Sequence, residues 1–284
     1  MTRGQKILTV VGATSDAGRI VAQQLREAGH TVRSVSRHHG VSLDDAATLR
    51  RSFEGAFGAY LMMPFDLQAS DLHTRERELC TQLGDAVRGT GLRRVVVLSG
   101  LSADLKRGSS LGAALLEETV APLGIPELVF LRAGWFMENF VKGLNFPAQA
   151  ESGTFATPFR PDRPMPMVSA EDVGRRAADL LMADDAGERI QELLGARNYT
   201  MEEATAVMAA ACGRPAVRYQ QVELRDARAG MLAAGMSESF ADAVLDTARS
   251  FNDDEPWGRQ QRTPDSTTAT TLEQWAGEHM GVPR

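Results

Sequence analysis

Within this 284-residue sequence, the stretch Gly12-Ala13-Thr14-Ser15-Asp16-Ala17-Gly18 has the residue types and spacing best suited to holding an anion. Gly12 ends an apolar run of strand length, Lys6 to Val11. It permits a sharp turn and lets a diphosphate approach the backbone. Gly18 lets the following helix lie close on that strand. The helix's first N–H groups, around Asp16 and Ala17, lack intrahelical partners and carry partial positive charge, while Thr14 and Ser15 bring hydroxyls to the same place. About 20–25 residues past the first glycine, a site for NAD places an acid on the ribose hydroxyls. Ser36 and Arg37 stand there instead, at the end of a second strand expected over Thr31 to Arg37. A guanidinium pairs with a 2′-phosphate, so the position favours NADP(H) over NAD(H). The plainer alternative for Arg37 is a solvated charge at a strand end. His38 and His39 have no partners at metal-ligand spacing and read as loop; no metal site is expected.

These groups need a scaffold, and the order of elements supplies one. After the first strand, Ile20, Val21, Leu25 and Ala28 fall on one helical face. A short helix follows over Ala46 to Phe53, then a strand over Gly58 to Met63 that stops at Pro64. A long helix runs from about Ser70 to Arg88, a strand from Leu92 to Ser99, a helix from about Ser110 to Leu123, and a strand from Glu127 to Arg132. Strand and helix alternate, which implies an α/β fold, a Rossmann-type doubly wound parallel sheet with helices on both faces. In such a sheet the carboxyl ends of the strands face the ligand crevice. Met63 and Pro64, with Met62, therefore lie either against the adenine-ribose side of a dinucleotide or in ordinary core and loop. Further on, helices are expected from Ala170, from Thr200 to Gly213, around 224–234 and 238–249, and after a cap at Thr271 and Gln274. A strand-like segment covers Ala216 to Val222, and 252–270 reads as loop.

The composition, with 43% hydrophobic residues and a formal charge of −6, is that of a globular chain without a basic block, which argues against nucleic acid as a ligand. Cys80 and Cys212 stand far apart in no motif, so a reducing compartment without disulfides is expected. No apolar run reaches membrane-spanning length and the N-terminus leads directly into a strand, which points to a cytoplasmic protein that neither enters a membrane nor carries a leader.

Several ordered motifs resemble the NmrA-like family of the short-chain dehydrogenase/reductase superfamily. They are the turn Gly12-Ala13-Thr14-x-x-x-Gly18, the basic second-strand end, Val97-Leu98-Ser99, and Glu118 fourteen residues before Arg132. The most specific is Leu131-Arg132-Ala133-Gly134-Trp135-Phe136-Met137-Glu138-Asn139, similar to the family's "LRPGxFMEN" stretch. Phe155 and Met165-Pro166-Met167-Val168-Ser169-Ala170-Glu171-Asp172-Val173 follow in order. Within the family, the chain most resembles the quinone reductase-like and azoreductase-like branch. Three departures stand out: Ser15 for a glycine, Ala133 for a proline, and Thr119 where some relatives carry lysine.

The resemblance implies a dinucleotide-binding core over residues 1–134, a crevice-lining segment over 135–164, a return to the core over 165–195 and a smaller, mostly helical substrate-side region over 196–284. It also implies that the 131–139 stretch runs from a strand into a helix beside the nicotinamide and substrate. Ser99 stands where the superfamily often keeps a catalytic serine, but the superfamily's Tyr-x-x-x-Lys pair is absent. The three tyrosines, Tyr60, Tyr199 and Tyr219, are followed four residues on by Pro64, Glu203 and Glu223. Ser99 is then expected to contact cofactor or backbone. Trp135, Phe136 and Asn139 either line a flat acceptor pocket or serve as core anchors and a helix cap. Glu117 and Glu118 read as solvated, with a crevice-facing role for one of them as the alternative. Catalytic residues stay unassigned. Two functions fit: an NADPH-dependent oxidoreductase passing hydride to a small quinone-like or azo acceptor, or a non-catalytic NADP(H) redox sensor acting through a protein partner. A homodimer is compatible with either.

Overall fold

The computed structural model describes residues 4–280. The first half alternates as expected: β1 (Ile7–Val11), α1 (Asp16–Glu27), β2 (Thr31–Val35), α2 (Ala46–Phe53), β3 (Gly58–Leu61), α3 (Leu72–Val87), β4 (Arg94–Gly100), α4 (Leu111–Val120) and β5 (Glu127–Ala133). Then come β6 (Trp135–Phe136), α5 (Asn139–Lys142), α6 (Phe146–Ala150), β7 (Thr154–Thr157), β8 (Met165–Val168), α7 (Ala170–Met182), β9 (Ile190–Leu193) and β10 (Asn198–Tyr199). The chain continues through α8 (Met201–Ala211), β11 (Arg218–Gln221), α9 (Leu224–Ala233), α10 (Glu238–Asn252) and α11 (Leu272–His279). Among the described residues, no helix is long and apolar enough to cross a membrane.

The main sheet has six parallel strands in the order β2-β1-β3-β4-β5-β9. Leu8, Val10, Tyr60, Val96, Val129 and Leu131 face α1 and α7 in one core. Val11, Leu61, Val95, Val97 and Phe130 face α2, α3 and α4 in the other. Burial on both faces explains why these strands read as continuous apolar runs. A third core gathers Met137, Phe140, Phe146, Phe155, Phe159, Tyr199, Met208, Phe251 and Trp275 under the C-terminal helices. This lobe also contains two small sheets, β10-β8-β6 and β11-β7. Apart from β11, whose segment reads as strand-like, these short strands carry too few residues to show a period in the sequence.

Two strands are shorter than expected. β2 stops at Val35, because the Ser36 hydroxyl accepts the His39 N–H and turns Arg37–His39 into a tight 3-10 turn. β3 stops at Leu61, after which Met62 folds towards Gly12 and Pro64 has no N–H to continue the ladder. The expected caps are present: Thr200 with Glu203, and Thr271 with Gln274, each form a capping box.

Two buried charged groups were not read from the pattern. Arg94, 1% exposed, donates from its guanidinium to the carbonyls of Leu180 (3.0 Å), Leu181 (3.2 Å) and Ala183 (2.5 Å) and pairs with Glu127. It thereby caps the carboxyl end of α7 and fastens it to the sheet. Glu76, 1% exposed, lies where a Cβ at Gly112 would collide with its carboxyl; Oε2 meets His73 Nδ1 at 2.8 Å and Oε1 has no partner.

Burial pushes the Glu76 carboxyl above its usual range, against a smaller opposing pull from His73. The folded chain therefore favours the protonated carboxyl more than the unfolded chain does, and that contribution to stability is fully present in acid and is lost as pH rises through the raised value. Glu76→Gln, which keeps the shape without the charge, is expected to be more stable relative to the native chain at pH 8 than at pH 5. Urea unfolding at the two values checks this; an unchanged gap between the proteins refutes it.

Candidate functional site

The carboxyl edge of the main sheet brings the expected groups into one row. In spatial order, β2 leads to Arg37, β1 to Gly12, β3 to Met62–Pro64, β4 ends in Ser99-Gly100, and β5 runs into Gly134-Trp135. Five neighbouring strands at about 4.8 Å spacing span roughly 19 Å, room for an extended ligand.

At β1, Gly12 and Ala13 both donate to the Val35 carbonyl, at 2.9 and 3.4 Å, which ties the turn to the end of β2. Gly12 has φ +71°, and a Cβ there would stand 2.4 Å from Met62 Sδ. The glycine is thus required by the turn geometry and by Met62, rather than only by an approaching ligand. At Gly18 a Cβ would come 2.1 Å from the Gly12 carbonyl oxygen, so α1 rests directly on the turn. Ser15 is the N-cap of α1, its hydroxyl oxygen accepting the Gly18 N–H at 3.1 Å. The hydroxyl proton of Ser15 is still free to donate. Thr14 is exposed, Asp16 and Ala17 open the helix, and Ala17 is buried.

Arg37 lies in the tight turn just past β2, exposed, with no hydrogen bond or ion pair to its guanidinium among the described residues. Met63 is buried in the α2–α4 core and Pro64 is half-buried beside it. Ser99, 4% exposed, is paired in register with Arg132, and its Oγ has no hydrogen-bond partner. A buried hydroxyl without a partner costs free energy unless something fills the place. Together with the crowded glycine turn and the unengaged guanidinium, it fits a dinucleotide laid along this edge. Among the described residues there is no cluster that could hold a metal ion.

The stretch runs from β5 towards the short helix α5, and between them Trp135-Phe136 form a two-residue strand, β6, pairing in parallel with Met167-Val168 of β8. Alternation sends the two side chains apart. Trp135 packs into the C-terminal lobe, 4.9 Å edge-on to Phe140, while Phe136 packs into the α1–α7 core. Both are half-buried. Asn139 does not cap the next helix; Glu138 holds that position and Asn139 is its first residue.

Glu117 is not solvated. Both its oxygens accept from Arg132, at 2.9 and 2.7 Å, in a buried bidentate pair that Asp104 extends. That contact raises the Arg132 guanidinium well above its usual range, against the cost of burial. A carboxylate one turn from the helix end was legible only as an acid, because its partner sits 15 residues on. Glu118 is exposed and pairs with Lys106.

A cavity of about 530 Å³ opens beside the start of α1, walled by Asp16, Glu138, Lys142, Asp172 and Trp275 among others. Trp135, Phe136 and Asn139 are not part of it. Glu138 accepts the Ala170 N–H and the Trp275 indole N–H, and burial pushes its carboxyl above the usual range. Lys142 reaches Asp16 across the mouth. Neither residue was assigned a role from the sequence; Lys142 is one of only three lysines in the chain.

Comparisons with known proteins bear on this arrangement. A model of the NmrA-like family matches residues 4–276. An NAD(P)H azoreductase of Xenophilus azovorans is 25% identical over 254 residues, 84% of this chain and 85% of that protein. The triphenylmethane reductase of a Citrobacter species superposes with TM-score 0.75 at 17% identity, over 97% of this chain and 99% of that one. An NADPH-dependent quinone oxidoreductase of Escherichia coli gives 0.71 at 20%, over 96% and 99%.

Proposed function

The chain belongs to the NmrA-like family, and from that premise we propose that it is an NADPH-dependent oxidoreductase passing hydride to a small, flat acceptor of quinone or azo type. The similarity to an azoreductase, a quinone oxidoreductase and a dye reductase supports a reductase of this kind. The observation that carries the reading is the state of the three tyrosines. Tyr60 is fully buried and its hydroxyl has no partner; burial drives its pKa far up. Tyr199 is bonded to Glu273 and to the Leu272 N–H. Tyr219 is engaged with Thr157 and Phe159 and pushed up to about 12 by burial. None can serve as the acid–base of an alcohol dehydrogenation, so an acceptor that needs no such group is favoured.

NADPH bound along the sheet edge would supply the hydride. The turn from Gly12 to Gly18 and the α1 N–H groups would hold its diphosphate, Arg37 its 2′-phosphate, and the Ser99 hydroxyl would find a partner there. Trp135 would offer a flat apolar wall past the end of β5. The protein's contribution is proximity and orientation; acceptor protons come from water.

Anaerobic NADPH oxidation against quinones, azo dyes and triphenylmethane dyes tests the reading. Turnover above background with at least one class is expected, and its rate should be nearly flat across neutral pH. Tight NADPH binding with no turnover against any of them removes the enzyme reading. Trp135→Ala is expected to lower kcat/KM for the acceptor at least tenfold while NADPH affinity stays within about 1.4 kcal/mol, a factor of ten. Unchanged turnover in that variant takes Trp135 out of the acceptor wall.

A further inference from the structure

Asp16 presents an anomaly for the cofactor site just proposed. It is the first residue of α1, where a carboxylate suits the helix dipole of the empty protein. The same helix start is where a diphosphate must sit, and two anions there repel. Lys142 resolves the conflict. Its Nζ donates to Asp16 Oδ1 at 2.6 Å and to Oδ2 at 2.7 Å, from a residue 126 positions away at the end of α5. The lysine side chain is 65% exposed. Exposed pairs of this sort contribute little to folding, so stability does not account for it. The neighbourhood is otherwise acidic on this side: Glu138, one helical turn before Lys142, is raised by burial and further by the Asp16 charge. Arg19 and Arg175 also line the cavity, but Arg175 is paired with Glu171. The chain has only three lysines, and one of them spans from the C-terminal lobe to the phosphate turn.

We propose that Lys142 is a positioning residue for the dinucleotide: by neutralising Asp16 it lets the start of α1 accept a diphosphate, and it makes cofactor affinity depend on the C-terminal lobe being docked. This rests on the cofactor reading above. The test is NADPH affinity of the full chain by titration calorimetry, with thermal unfolding as the folding control. Lys142→Met is expected to weaken binding about tenfold, and Lys142→Arg to restore it to within about threefold of native. Asp16→Asn should bind at least as tightly as native. In the double variant Asp16→Asn/Lys142→Met, the loss should disappear, because no carboxylate remains to be neutralised. The penalty in Lys142→Met should shrink as salt is raised. Native-like affinity in Lys142→Met overturns the inference while leaving the cofactor site standing. A double variant as weak as Lys142→Met overturns it as well, since Lys142 would then act without Asp16. Failure of the native chain to bind NADPH removes both the cofactor reading and this inference.

Discussion

Gly18→Ala is expected to raise the dissociation constant for NADPH at least a hundredfold, about 2.7 kcal/mol. The added methyl would stand 2.1 Å from the Gly12 carbonyl oxygen and 2.9 Å from both Gly12 C and Ser15 Oγ. Two of those atoms are backbone, so no side chain can swing away to make room. Relief comes only by lifting α1 from the turn, which breaks the Ser15 cap and moves the N–H groups that would face a diphosphate. The rest of the sheet keeps its own core around Val95, Val97 and Phe130, so the chain should still fold. Calorimetry with NADPH and circular dichroism on the same sample separate the two effects. A folded Gly18→Ala protein with native affinity would place the diphosphate elsewhere. By contrast Ser15→Gly, which removes only the cap hydroxyl, should cost a few tenths of a kcal/mol in stability and little in affinity.

Arg37→Glu is expected to reverse cofactor preference. The guanidinium has no partner among the described residues, so its removal disturbs no contact there. A charge-assisted bond to the 2′-phosphate contributes about 1.5–3 kcal/mol, and a glutamate adds repulsion. NADPH affinity should therefore fall at least tenfold while NADH affinity changes little. Equal affinity of the native chain for the two nucleotides would sink the assignment of Arg37.

The glycine turn and the order of the strands were legible because their signals are local. A strand running into glycine, a hydroxyl before a helix, and an arginine replacing an acid each lie within a few residues of their effect. The helices from Ala46, Ala170 and Met201 were equally plain, since periodicity and caps are written in the same window. What was not legible depends on distant partners. Glu117 reads as a surface acid until Arg132 returns beside it, and Lys142 is one more exposed cation until Asp16 is placed under it. Arg94 looks misplaced in a buried strand until the end of α7 supplies three carbonyls. The strand β6 was not legible for a related reason: two residues cannot display a period, and their ladder partners lie in β8.

The seam at β6 has a consequence for how this scaffold can be altered. Trp135 and Phe136 are adjacent in the chain but belong to separate cores. Trp135 meets Phe140 edge-on, and Phe140 in turn meets Phe146 and Phe155, so these four residues form one packing unit, apart from the α1–α7 core that holds Phe136. Shortening Trp135 therefore loosens the aromatic core of the C-terminal lobe, while shortening Phe136 loosens the core between α1 and α7. A double truncation at the seam should destabilise the chain by about the sum of the two single changes, because the two cavities lie in separate packing units.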